Sequence, residues 1–73
     1  MQRITYDDLK KVAKILGNTT GLNVATRAGN GCFGLVLKLE HGEEWILNGM
    51  TKRQLNDAMW GIIRTVKFME NEK

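Results

Sequence analysis

Few side chains in this sequence could carry out covalent chemistry. Cys32 is the only cysteine and His41 the only histidine, and a thiol beside an imidazole is a possible nucleophile and base. Both residues are predicted at or near strand ends. A chain of 73 residues leaves little room for a substrate cleft once helices cover a sheet. We therefore expect no enzyme activity and no small-molecule substrate.

The carboxylates predict no catalytic or metal site either. Asp7-Asp8 and Glu43-Glu44 are neighbours in sequence, so the two side chains of each pair point in different directions. We interpret the first pair as favourable charge at a helix start and the second as part of a solvated turn. A zinc site would have to add carboxylates to one Cys and one His, and no Gly-rich phosphate loop is present. We expect no metal and no cofactor.

The side chains best suited to binding lie in the C-terminal segment. On a helical wheel, Trp60 is predicted to point away from the apolar stripe and to lie among cations. Trp and Arg are enriched at the energetic centres of protein interfaces, although the indole could also cover neighbouring Arg side chains. The candidate partner-binding residues are Arg53, Trp60, Gly61, Arg64, Lys67 and Phe68. An aromatic ring among cations also suits base stacking. The alternative, nucleic-acid-binding set is Lys52, Arg53, Asn56, Trp60, Arg64 and Lys67.

The composition is that of an ordinary globular protein. Hydrophobic residues make up 42% and charged residues 26%, so we expect a single folded domain over residues 1–73 with a frayed tail from about residue 70. The net charge of +3 favours anionic partners without requiring one. No apolar stretch is long enough to cross a bilayer, and the N-terminus lacks the apolar core of a signal peptide. A single cysteine suits a reducing compartment, so we expect a cytoplasmic protein.

Two amphipathic helices are predicted, one towards each end of the chain. In TYDDLKKVAKILG, apolar residues recur at helical spacing, at Tyr6, Leu9, Val12, Ala13 and Leu16. Thr5 can cap this helix, and Gly17-Asn18 supply residues that easily take a left-handed stop. The second helix begins with Thr51 and Gln54, which match a capping box. Its apolar stripe continues to Met69.

Three antiparallel strands are predicted between the helices, at about 22–28, 32–40 and 44–48. The two-residue period places one set of side chains on an inner face, at Leu22, Val24, Thr26, Phe33, Leu35, Leu37, Leu39, Trp45 and Leu47. The other face, open to solvent or a partner, carries Arg27, Val36, Lys38, Glu44 and Ile46. The predicted fold is an α+β two-layer sandwich of order α-β-β-β-α, with both helices on one face of the sheet.

The element order and the stretch GMTKR resemble the double-stranded-RNA-binding domain. That family opens its second helix with Gly-x-Ser/Thr-Lys-Lys/Arg, and Gly49, Thr51, Lys52 and Arg53 occupy those positions. Asn56 stands where the family has a further lysine. The resemblance implies phosphate contacts by the first turn of the second helix.

A second resemblance covers roughly residues 29 to 66. The stretch GNGCFGLVLKLEHGEEWILNGMTKRQLNDAMWGII resembles a group of small tailed-bacteriophage proteins with a "TKREL"-like C-terminal helix. This resemblance implies a small accessory protein made in the cytoplasm of an infected bacterial cell. We therefore expect a non-catalytic protein that contacts another protein, either a second copy or a host or phage factor, through the outer face of its last helix. The alternative is a nucleic-acid-binding domain that uses the basic start and outer face of the same helix. No membrane partner is expected.

Overall fold

The computed structural model, which describes residues 3–71, contains two helices and one three-stranded sheet. In chain order the elements are α1 (Tyr6–Thr20), β1 (Val24–Gly29), β2 (Cys32–Leu39), β3 (Gly42–Met50) and α2 (Lys52–Asn71). The sheet is antiparallel in the order β1-β2-β3. Both helices pack on one face, α1 along β1 and α2 across β2 and β3. The predicted α+β architecture is confirmed.

The C-terminal helix is longer than predicted. It continues to Asn71, two residues past the Met69 at which the predicted stripe ends; fraying from about residue 70 stays a prediction, and residues 72 and 73 lie outside the described part. Within residues 3–71, neither helix has a stretch that is both long and apolar enough to cross a membrane.

Each helix begins with a reciprocal capping box. The Thr5 N–H donates to the Asp8 carboxylate at 3.0 Å, and the Asp8 N–H donates to the Thr5 hydroxyl oxygen at 3.2 Å. The bond from the Thr5 N–H, followed by the Thr5 hydroxyl group, lowers the pKa of the Asp8 carboxyl. Thr51 and Gln54 make the same pair of bonds at 3.0 and 3.1 Å, as the sequence predicted. These bonds satisfy backbone donors that a helix start leaves free.

The first helix ends one turn later than predicted. Gly21, not Gly17-Asn18, takes the left-handed conformation, with φ 76°, and its N–H donates to the Gly17 carbonyl at 2.8 Å. Gly17 is helical and lies close to the loop, because an added Cβ would lie 3.1 Å from the Leu22 carbonyl oxygen. Leu22 itself precedes β1 and is exposed, so its predicted place on the inner face is wrong.

The hydrophobic core lies between the helices and the inner face of the sheet. It joins four residues of α1, one of β2 and three of α2, namely Leu9, Val12, Ala13, Leu16, Leu35, Leu55, Met59 and Ile63. Leu39, predicted to be inward, is half exposed at the end of β2. The helices therefore cover the middle of the sheet and leave its β2–β3 end open.

The first hairpin is regular. Asn30 and Gly31, with φ 50° and 77°, form the two-residue turn that brings Gly29 opposite Cys32. Positive φ at both central residues is the geometry that matches the twist of two antiparallel strands.

The second hairpin is irregular, and this changes the face on which Trp45 lies. Leu35 pairs with Leu47, but the next residue, Val36, pairs with Trp45, so Ile46 is an extra residue in β3. Such a bulge shifts the alternation by one position. Trp45 therefore lies with Val36 on the outer face, away from the helices, and the prediction that it belongs to the core is wrong. Glu44, opposite Leu37, lies on the helix side instead of the outer face.

Candidate partner-binding surface

Five predicted binding residues follow one flank of α2. They occur at positions i, i+3, i+7, i+11 and i+14, namely Arg53, Asn56, Trp60, Arg64 and Lys67. At about 3.6 residues per turn this spacing forms a single strip. The three cations of the strip are exposed. The only ion pair within residues 3–71 joins Arg27 to Glu43, so these cations are available to an anionic partner.

Trp60 does not point away from the core. It is half-buried and packs against the hydrophobic core beside Met59 and Ile63, so the predicted outward orientation is wrong. A helical wheel gives the direction of a Cα–Cβ bond, whereas the indole is long enough to reach back over the flank of the stripe. Part of its surface stays accessible between Arg53 and Lys67 on the strip.

The two cations at the start of α2 have different surroundings. The Lys52 ammonium lies 5.7 Å from the centre of the Phe33 ring, within the range of a cation–π contact, and the side chain is half-buried. Arg53 is exposed. The turn therefore presents Arg53 outward and holds Lys52 against the sheet.

A second stripe on α2 faces directly into solvent. Asp57, Gly61, Arg64 and Phe68 recur at i, i+4, i+7 and i+11, and all four are exposed. Phe68 is 64% exposed. A Cβ at Gly61 would have no heavy atom within 4 Å, so no contact within the described chain explains a glycine there. Glycine inside a helix costs about 1 kcal/mol relative to alanine.

Asp57 was missed by sequence reasoning. The signal that could have identified it is its position four residues before Gly61, with Arg64 three residues after the same glycine. A residue of each charge thus flanks the exposed glycine on one face. Opposite charges in this arrangement suit a surface of complementary charge.

The outer face of the sheet carries a small apolar cluster of its own. Val36 has no exposed surface although no helix covers this face. Trp45 lies opposite it, and a Cβ at Gly34 would come within 2.6 Å of Trp45 Cζ3, so the indole occupies the space of the missing side chain. Arg27 on β1 pairs with Glu43 on β3. Since Arg27 lies opposite Gly34 and Glu43 opposite Lys38, this ion pair crosses the middle strand at the level of Val36.

The two candidate groups for covalent chemistry are far apart. Cys32 begins β2 and His41 follows its end, a separation of about 30 Å for an extended strand. Both are exposed. The structure does not bring them together, which removes the nucleophile and base arrangement that the sequence left open.

Comparison of the chain with models of known protein families, with curated proteins and with solved structures finds no match. The resemblances to bacteriophage proteins and to the double-stranded-RNA-binding domain stay predictions.

Proposed function

We propose that this is a non-catalytic binding protein that works through protein–protein contact at the outward face of α2, and that its first partner is a second copy of itself. The observation that carries the proposal is the exposed Gly61 on the same face as Phe68. No contact within the described chain requires glycine at this solvent-facing position of the helix. The absence of a side chain at Gly61 would, however, allow the backbone of another helix to approach closely.

The charges on this face are self-complementary. In a two-fold contact where α2 crosses an antiparallel α2 at Gly61, residues on opposite sides of the crossing point face each other. Asp57 of each copy then lies opposite Arg64 of the other, since they stand four and three residues from Gly61. Two ion pairs form from charges that have no ion-pair partner elsewhere in residues 3–71. A parallel contact would instead place like charges together.

Phe68 supplies the apolar part of the same contact. Phe68 stands seven residues after Gly61. The residue seven positions before Gly61 is Gln54, next to Arg53. In the antiparallel arrangement each ring meets the first turn of the other helix, where the Arg53 guanidinium can lie over it. An aromatic ring that becomes buried beside an Arg side chain is typical of the energetic centre of a protein interface.

Sedimentation equilibrium combined with charge exchange tests the dimer. Asp57→Arg and Arg64→Asp should each weaken self-association at least about tenfold, because each places like charges opposite one another. The double variant Asp57→Arg with Arg64→Asp should restore it. Lys11→Asp, an exposed charge reversal on α1, is the matched control and should have no effect. A protein that stays monomeric at millimolar concentration, or a double variant without recovery, would contradict the proposal.

A second candidate function is nucleic-acid binding, which the unpaired cations of the α2 strip favour. Contacts to phosphates and bases would come from the residues of the alternative set, namely Lys52, Arg53, Asn56, Trp60, Arg64 and Lys67. Phosphate contacts make the affinity fall with salt, so Lys52→Ala with Arg53→Ala should reduce the slope of log affinity against log salt by about 2. Fluorescence anisotropy with double-stranded RNA and DNA at several salt concentrations measures this slope. Equal binding by the wild type and the double variant in low salt would exclude Lys52 and Arg53 from phosphate contact.

The biological setting belongs to the same proposal. A role as a small phage accessory protein in the cytoplasm of a bacterial host is supported by the resemblance of residues 29 to 66 alone. A host or phage protein could occupy the α2 face in place of a second copy. Binding of such a protein to the monomer, blocked by Gly61→Leu, would identify this alternative.

A further inference from the structure

A groove runs between α1 and the free edge of β1. It consists of two contiguous hollows of about 480 and 470 Å³, which share Ala13, Lys14 and Val24 in their walls. Lys10 and Arg27 line the second hollow. Among the described residues that line either hollow, none is Asp or Glu. Arg27 is paired with Glu43, so Lys10 and Lys14 supply the uncompensated positive charge of the groove, over a partly apolar floor.

The register of β1 shows which backbone groups face this groove. The Lys38 N–H donates to the Asn23 carbonyl at 2.8 Å, and bonded positions alternate along an antiparallel ladder. Every second residue of β1 therefore points its N–H and C=O away from β2, towards the free edge of the sheet. These residues are Val24, Thr26 and Ala28.

The chain itself satisfies only the centre of this edge. The Thr26 carbonyl accepts hydrogen bonds from the Tyr6 hydroxyl at 3.2 Å and from Arg27 Nη1 at 3.0 Å. Within residues 3–71, the outward N–H and C=O of Val24 have no such partner. Val24 also lies where the two hollows meet, so the groove exposes an unpaired segment of strand.

Two lysines stand above this segment at a spacing that fits an extended chain. Lys10 and Lys14 are one helical turn apart, about 6 Å along the axis of α1. Alternate side chains of an extended peptide are separated by about 6.7 Å on one face. The Lys10 ammonium lies 5.0 Å from the centre of the Tyr6 ring, which holds it at the wall of the groove.

We infer that this groove captures an extended acidic segment of another protein, which adds to the sheet beside β1 at Val24 and places two carboxylates, two residues apart, on Lys10 and Lys14. A peptide supplies alternating donors and acceptors that match the free strand edge. A nucleic-acid backbone supplies phosphates for the lysines but no such alternation. The groove lies on α1 and β1, so it is independent of the α2 face proposed above.

The probe is a capped six-residue peptide with the central sequence Glu-Val-Glu, titrated into the full chain and followed by amide NMR shifts. The largest shifts are expected at Val24 and its neighbours along β1. The double substitution Lys10→Gln with Lys14→Gln should weaken binding about tenfold, because both ion pairs are lost. Lys11→Gln, on the same helix but outside the groove, is the matched control and should leave the affinity unchanged.

Backbone pairing is tested on the peptide, which avoids any effect on folding. Two versions of the probe carry N-methyl groups at alternate amide nitrogens, one at odd and one at even positions. An added strand turns only one of these sets towards β1, so one version should lose binding and the other should retain it. Equal affinity of the two versions would overturn the strand-addition geometry.

Three further results would overturn the inference. One is a Gln-Val-Gln peptide that binds as tightly as the acidic probe. Another is a single-stranded oligonucleotide that displaces the acidic peptide and loses affinity equally with the two lysine substitutions, since the groove would then be a phosphate site. The third is a shift of the Val24 amide with protein concentration alone, because a second copy would then fill the groove.

Discussion

Leu35 and Val36 are adjacent in β2 and both are fully buried, yet they are covered in different ways. Leu35 lies under two helices that come from the two ends of the described chain. Val36 lies on the other face, under an indole and an ion pair that belong to the sheet itself. Burial on the helix side therefore needs distant segments to meet, whereas burial on the outer face needs only cross-strand neighbours in the correct register.

The largest expected difference between the two faces is in the cost of removing side-chain volume. Leu35→Ala should reduce the free energy of unfolding by about 2 to 5 kcal/mol, because the surrounding core cannot collapse into the cavity. Val36→Ala should cost about 1 to 2 kcal/mol, because it removes fewer methyl groups and the indole and ion pair above it can shift. Urea unfolding of both variants measures this. Equal losses would mean that the outer cluster is as rigidly packed as the core.

The close approach of Trp45 to the outer face can be tested at Gly34. A Cβ there would lie 2.5 Å from the Leu47 carbonyl oxygen and 2.6 Å from Trp45 Cζ3, so Gly34→Ala must move backbone as well as the ring. We expect a loss of about 1 to 3 kcal/mol, typical of overpacking, and a shift of the Trp45 indole resonance. Gly29→Ala is the control, because its Cβ meets open space. A harmless Gly34→Ala would show that Trp45 does not lie against the sheet.

The ion pair over Val36 should contribute less. Arg27 and Glu43 side chains are 37% and 39% exposed, and solvent screens pairs of this kind. We expect Glu43→Gln to cost about 0.2 to 1 kcal/mol and the loss to shrink at high salt. Glu44→Gln, on the other face, is the control. Thermal unfolding at low and high salt separates the two variants, and a salt-independent loss would indicate a packing role for Glu43.

The helix side offers a pH-dependent counterpart at Asp8. Its pKa in the folded protein is lowered from the ordinary value of 3.8, first by the Thr5 N–H. A carboxyl group whose pKa is lower in the folded protein contributes stability at pH values above its ordinary pKa. This stabilisation is lost as the pH falls through the folded pKa. The stability difference between wild type and Asp8→Asn should therefore be full near neutral pH and shrink below about pH 4. A carboxyl titration of Asp8 at or above 3.8 would contradict this.

Beyond the element order and the antiparallel sheet, the details that the sequence predicted correctly depend on residues close together in the chain. The capping box of Thr51 and Gln54 and the stripe through Leu55, Met59 and Ile63 follow from spacing along one helix. Trp45 was placed on the wrong face because two-residue alternation cannot reveal an extra residue in β3. That extra residue is defined only by pairing with β2.

The candidate sites follow the same division. The flank of α2 with Arg53, Arg64 and Lys67 was predictable from helical periodicity. The groove beside β1 was not, because it depends on which strand lies at the edge of the sheet and on where α1 crosses it. Trp60 lies between these cases, since its position on the helix was predicted and the reach of its side chain was not.

The order of the strands in the sheet, which equals their order in the chain, has a consequence for folding. The two hairpins can form from local pairings within microseconds, and short sequence separations generally favour rapid folding. The core, however, needs α1 to meet α2, which supplies three of its eight buried side chains. During synthesis, α1 and the sheet should therefore wait without a stable core until α2 has left the ribosome, and only then fold cooperatively.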